Sequence, residues 1–272
     1  MLRISGTGVS HAGLVRDHNE DAGFIGPTCM LVADGVGGGA AGEVAAATTA
    51  YVVSATALAR PDDDPARVLV DAVATAQQQV ALGARERPDR EGMATTLTAL
   101  VTDGTGFALA HLGDSRGYLF RDGRLVRLTR DHTYVQDLVD DGRLAPDEVP
   151  MHPWRNVVLR SVNGSDGPAD VVPLDLHPGD RVLLASDGLT DLVSEERIAD
   201  LLARKADDDA VAALLAAALG AGGRDNVTCV LATVVEGPRI SGDGTMLGVM
   251  TDLGNVVDPA AVRMPGAAGR TA

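Results

Sequence analysis

The chain has 272 residues, 45% of them hydrophobic and only 3% aromatic, with a net charge of −15. That length buries a full core, and the scarcity of aromatics leaves Ala, Val and Leu to build it. The charge excludes a nucleic-acid partner, whose phosphates need a basic surface, and with Lys205 as the one lysine there is no Walker-type phosphate loop.

No apolar run reaches membrane-spanning length, and the opening Met1-Leu2-Arg3-Ile4-Ser5-Gly6 carries no long apolar stretch. A soluble, cytoplasmic monomer without a membrane partner is therefore expected. Cys29 and Cys229 both sit in apolar runs, which predicts buried free thiols in a reducing compartment.

A first strand is expected over residues 4–10, followed by a loop through Arg16 to Asn19-Glu20-Asp21. The apolar run Cys29-Met30-Leu31-Val32-Ala33 has strand length and ends on Asp34, with Gly35, Gly37 and Gly38 close behind. A helix follows from Glu43 to about Arg60, broken by Pro61-Asp62-Asp63-Asp64-Pro65. A second runs from Ala66 to Arg87, with Val68, Leu69, Ala72, Val73, Ala76 and Val80 at helical spacing.

From Thr95 the period changes to that of strands. The segments 96–101, 107–112, 117–120 and 125–128 are separated by Asp103-Gly104, Gly113-Asp114 and Asp122-Gly123, which reads as an antiparallel meander. Residues 129–160 form a less regular excursion, helix-like at 135–139 and again near Pro146. Strands are expected at 157–159, 170–172 and 182–185, the last ending on Ser186-Asp187-Gly188. Two helices, 194–203 and 207–219, precede Gly223-Arg224-Asp225-Asn226 and a last strand to Val235. Residues 1–237 are expected to form one domain and 238–272 a tail of low order, its apolar patch at 246–250 having no evident docking place.

Asp34, Asp187 and Asp225 stand at the ends of three strands far apart in sequence, where they can converge on one edge of a sheet core. An all-oxygen ligand set suits hard cations such as Mg2+ or Mn2+. Other phosphate chemistries fail on paper. A nucleophilic cysteine needs an arginine six residues on, and Cys29 and Cys229 have Gly35 and Val235 there. An aspartyl-phosphate enzyme needs an Asp-x-Asp opening, which Asp34-Gly35-Val36 lacks. The glycines after Asp34 have no acid about 20 residues on to hold a dinucleotide ribose.

Six motifs occur in order: Arg16-Asp17-His18-Asn19-Glu20-Asp21, Asp34-Gly35-Val36-Gly37-Gly38, Gly92-Met93-Ala94-Thr95-Thr96, Gly113-Asp114-Ser115-Arg116, Ser186-Asp187-Gly188 and Gly223-Arg224-Asp225-Asn226. With them, residues 5–235 resemble the bacterial branch of the PP2C-type (PPM) metal-dependent protein serine/threonine phosphatases. The resemblance implies an α+β fold, an α–β–β–α sandwich of two mainly antiparallel sheets with helices on both outer faces. It implies a binuclear Mn2+ or Mg2+ centre bridged by Asp34, with Asp187, Asp225 and the Gly35 carbonyl as further ligands and Asp114 at a third, weaker site. Glu20 and Asp21 would act near the ions through water, and Arg16 would hold the substrate phosphate for attack by an ion-activated water. Residues 129–160 correspond to a flap in which Trp154 and Arg155 either touch substrate or anchor the flap.

The implied reaction is hydrolysis of phosphoserine and phosphothreonine in proteins, with a serine/threonine kinase and its substrates as partners. The alternative is a phosphoprotein-binding module that does not cleave, against which the retained Arg16, Asp34, Gly35, Asp187 and Asp225 argue. One departure stands out. Gly39 occupies a place where the bacterial family commonly has a histidine, for which His132, His152 or a metal-bound water would have to substitute.

Overall fold

The computed structural model describes residues 1–36, 41–238, 240, 242 and 244–262. The strands are β1 (Leu2–His11), β2 (Asp21–Ile25), β3 (Cys29–Val36), β4 (Ala94–Thr95), β5 (Leu97–Thr102), β6 (Phe107–Leu112), β7 (Arg116–Arg121), β8 (Arg124–Arg127), β9 (Asp170–Leu174), β10 (Arg181–Ala185), β11 (Val227–Glu236) and β12 (Thr245–Gly248). The helices are α1 (Gly42–Ala59), α2 (Pro65–Glu86), α3 (Tyr134–Asp140), α4 (Asp187–Thr190), α5 (Glu195–Arg204) and α6 (Asp207–Gly220). One sheet runs β1-β11-β10-β7-β8 and the other β12-β2-β3-β5-β6-β9, with β4 paired to β3. Every pairing is antiparallel.

Alternation along the strands builds three apolar layers. In β3, Cys29, Leu31 and Ala33 face α1 and α2, while Met30 and Val32 face the other sheet. In β11, Cys229 and Leu231 face α5 and α6, while Val230, Ala232 and Val234 point inward. Strands covered on both faces need apolar residues at every position, which is why they read as unbroken runs and not as an alternating pattern. The α–β–β–α sandwich follows, as expected.

α1, α2, α3, α5 and α6 match their sequence signals to within a residue or two, whereas the short α4 is not among the expected helices. Asp64 caps α2 by accepting from the Arg67 N–H at 2.9 Å, with Pro65 in the first turn. Ser194 caps α5 by accepting from the Arg197 N–H at 3.3 Å. α1 is different. It is buried nearly all round, because sheet, α2 and the C-terminal segment each cover a side of it, and so its alanines carry no amphipathic stripe.

Two expectations are corrected. Residues 157–159 form no strand; Val158 makes only an isolated bridge to Thr133. The tail is not of low order over 245–262: β12 pairs with the edge of β2, and Met250 and Val256 are buried against α1. The apolar residues near 246–250 dock locally on the domain that precedes them, which periodicity cannot reveal in a strand of four residues. Both cysteines are free and buried, as expected.

Candidate active site

The registers place every flagged acid at one end of the sandwich. Asp34 lies near the end of β3, across the ladder from Asp21, the first residue of β2. Ala185 at the end of β10 pairs with Cys229 near the start of β11 and with Arg116 at the start of β7. Asp187 after β10, Asp225 before β11 and Asp114 before β7 therefore share that end. β1 also finishes there, since His11 pairs with Val227, so the loop carrying Arg16 joins them. Antiparallel order interleaves strand starts and strand ends, and no local signal announces that.

The backbone around Asp34 is tightly held. Its N–H donates to Thr96 Oγ1 at 3.0 Å, and its carbonyl accepts from the Thr96 N–H and from Thr95 Oγ1, both at 2.8 Å. Thr96 Oγ1 in turn meets Ser115 Oγ at 2.6 Å. This gives the threonine pair of the third motif a structural task. Gly35 is needed for close approach: a Cβ there would stand 2.6 Å from the Gly42 carbonyl group and 2.8 Å from the Glu20 carbonyl oxygen.

Asn226 ties the Arg16 loop in place. Its Nδ2 donates to the carbonyls of Ala12 at 3.0 Å and His18 at 2.9 Å, and its Oδ1 accepts from the Glu20 N–H at 2.8 Å. Arg16 Nη2 donates to Asp225 Oδ2 at 2.7 Å. Ser186 Oγ donates to Asp21 Oδ2 at 2.8 Å and accepts from the Thr228 N–H at 3.0 Å. Glu20 Oε1 meets Nε2 of the exposed His18 at 2.9 Å.

A cleft of about 540 Å³ opens here, walled by Asp114, Asp131, Asp187, Asp191 and Asp225 with Arg116, Arg155 and Arg224. Asp34 lies behind this wall. Burial pushes its carboxyl well above the ordinary range, helped by repulsion from Asp21, Asp187, Asp114 and Asp225. Asp187 is likewise pushed well up, by burial and by Asp114, Asp191 and Asp225. Burial, then Asp131 and Asp191, raise Asp114 to about 7, and burial raises Asp21 to about 6. Asp131 goes the other way: burial would raise it, but Arg116 and Arg127 outweigh that and hold it low.

These residues fit divalent cations. The donor set is all oxygen, the clustered negative charge lacks enough protein cations, and Asp21 Oδ1 is buried without a hydrogen-bond partner. Among the described residues no three acids are already gathered about one point as a ligand cluster. Asp225 is turned toward Arg16 instead, and a change of its side-chain rotamer would release it.

A pH dependence follows. A carboxyl whose folded pKa is raised stabilises the fold fully below its ordinary value near ~4, and that contribution fades as pH climbs through the folded value. For Asp21 and Asp114 the window runs from ~4 to about 7. Carboxyls held low, such as Asp131 and Asp180 beside arginines, act oppositely and set the acid limb. Without divalent ions, Tm measured by circular dichroism is expected to be higher at about pH 5.5 than at about pH 7.5. Excess Mn2+ is expected to raise Tm most at the higher pH. Equal metal-free Tm at the two pH values would show that the acids do not burden the fold.

Two cleft acids, Asp131 and Asp191, escaped sequence reasoning. Asp191 had a signal: it lies four residues after Asp187, one helical turn on and on the same face. Asp131 had none. In the flap, Arg155 lines the cleft, while Trp154 packs edge-on against Tyr134 at 5.4 Å. His132 is buried, accepting from the Gly113 N–H at 3.1 Å and meeting Asp170 at 2.9 Å, and His152 packs with Tyr134 and Trp154. Neither lines the cleft. Gly39 itself lies outside the described residues.

Two antiparallel sheets between helix pairs, with a carboxylate-walled cleft at one end, define the class: a four-layer α–β–β–α sandwich. The family model for protein phosphatase 2C matches residues 8–220, and the chain belongs to that family. It is 42% identical over 231 residues to the serine/threonine protein phosphatase PstP of Mycobacterium tuberculosis, covering 84% of this chain and 44% of that protein. It is 32% identical over 232 residues to the serine/threonine phosphatase stp of Listeria monocytogenes, covering 80% of this chain and 91% of that one. The chain thus spans less than half the length of PstP. Among solved structures, the M. tuberculosis PstP/Ppp phosphatase superposes with a TM-score of 0.79 at 40% identity, covering 86% of this chain and all of that one. The PstP catalytic domain in complex with two manganese ions matches at 0.78, also at 40% identity, covering 87% of this chain and 100% of that chain.

Proposed function

We propose that this chain hydrolyses phosphoserine and phosphothreonine in proteins, dependent on two Mn2+ or Mg2+ ions. The observation that carries the reading is the carboxylate-walled cleft with Arg16 on Asp225 at its rim. The PstP catalytic domain with two manganese ions supports it. Asp34, Asp187, Asp225 and the Gly35 carbonyl would hold the two ions, and Asp114 a third, weaker one. Ions so held lower the proton affinity of water and neutralise phosphoryl oxygens.

The protein's own groups do the rest. Arg16 presents a planar fork that grips two phosphate oxygens at once and orients the ester. Asp21 and Glu20 lie beside the ligands and accept from water. Ser186 and Asn226 hold these acids and the Arg16 loop in register, so that the Arg16–Asp225 pair is what must part when ions and substrate arrive. No nucleophilic side chain is required. Both cysteines are buried, with thiols pushed up to about 12 by burial, so neither is a thiolate at neutral pH.

The partners under this reading are phosphorylated proteins, among them a serine/threonine kinase and its substrates, and the enzyme works as a monomer in the cytoplasm. Among the described residues no helix is long and apolar enough to cross a membrane. The test is phosphate release from a phosphothreonine peptide with Mn2+, with Mg2+ and with EDTA. Metal-dependent release abolished by EDTA is the expected result. Folded, metal-loaded protein that binds the peptide and releases nothing would instead identify a phosphoprotein-binding module.

A further inference from the structure

Residues 245–262 lie beyond the stretch 8–220 that matches the family model, yet they are built into the scaffold of the site. β12 adds to the edge of β2 with Gly248 opposite Ala22, and the neighbouring residue Asp21 is the ladder partner of Asp34. Gly248 turns the chain there with φ +61° and ψ −142°, a conformation in effect reserved for glycine. A Cβ on it would stand 2.1 Å from the Asp21 carbonyl oxygen and 2.8 Å from Ser10 Oγ.

The same segment then grips α1. Met250 is fully buried in the layer beneath that helix. The Val257 N–H donates to Thr48 Oγ1 at 3.0 Å, and the Tyr51 hydroxyl donates to the Pro259 carbonyl at 2.9 Å. α1 begins at Gly42, the residue against which Gly35 is pressed. One segment therefore holds both the strand that presents Asp21 and the helix that backs Gly35.

We propose that residues 245–262 are a positioning brace for the divalent-ion centre, with Gly248 setting the place of Asp21 against Asp34. This rests on the reading that those acids surround divalent ions. The place where β12 ends is thus set by Gly248 against the backbone of Asp21. In the brace, the positive-φ turn at Gly248 is what brings β12 down onto Asp21, and Met250 anchors the segment at a distance from the acids.

The test is calorimetric titration of the full chain with Mn2+, with folding checked by circular dichroism, for wild type, Gly248→Ala and Met250→Ala. Groups that orient metal ligands typically contribute 10- to 100-fold in metal affinity. Gly248→Ala is expected to weaken Mn2+ binding about tenfold, and Met250→Ala, which loosens the anchor of the same brace, to lower Tm with a smaller loss of affinity. Leu247→Ala, whose side chain rests on Gly8 and Gly23, loosens β12 without a backbone clash and is expected to show a smaller loss of affinity should Gly248→Ala not fold. If the β12 variants lose stability but bind Mn2+ as tightly as wild type, the brace is merely structural and the inference is wrong. Wild type that binds no Mn2+ would overturn the proposed function as well.

Discussion

Asp34→Asn is expected to lower kcat on a phosphothreonine peptide by on the order of a thousandfold, with the fold intact. Under the proposed function Asp34 would help hold divalent ions that supply several kcal/mol of transition-state charge stabilisation, and each 1.36 kcal/mol is about tenfold in rate. The fold should survive because the Asp34 backbone is held by Thr95 and Thr96, independently of its side chain. Asparagine is the same size and removes one charge from a group that Asp21, Asp187, Asp114 and Asp225 repel. The metal-free variant should therefore melt no lower than wild type, and stabilisation by Mn2+ should shrink. Activity within tenfold of wild type would mean that Asp34 is not a ligand.

Arg16→Ala is expected to lower kcat/KM for the same peptide about a hundredfold, mostly through KM, because it removes a charge-assisted pair of hydrogen bonds to the phosphate. Arg16→Lys should restore only part of this, since an ammonium is a point charge and not a fork. The same substitution frees Asp225, to which Arg16 Nη2 donates at 2.7 Å. Mn2+ affinity should then hold or rise while substrate affinity falls. This opposite movement separates a phosphate-binding arginine from one that only shapes the loop; an unchanged KM would exclude the phosphate role.

Much of the site was legible because its chemistry is local. Asp34, Asp187 and Asp225 each sit at the end of an apolar run of strand length, and glycines beside two of them mark close backbone approach. Asp114 sits beside a glycine in a turn between strands, and the structure places it on the same cleft. The roles of Thr95, Ser186 and Asn226 were not legible, although all three lie in recognised motifs. Their partners, Asp34, Asp21 and the Arg16 loop, are 61, 165 and 206 to 214 residues away, and a hydrogen bond across such a span leaves no periodicity to read.

By itself the sequence determined most of the element types and the acids that strand ends present. These are properties of a few neighbouring residues: period and backbone permissiveness. Only the tertiary structure decided that β3, β7, β10 and β11 bring their acid-bearing loops to one end, that Asp131 and Asp191 join the cleft, and that Trp154 packs in the flap while Arg155 faces inward. It alone placed residues 245–262 on β2 and α1. The physical reason is register. Which strand lies beside which is set by burial summed over both sheets, and a single chain segment carries no record of its partner.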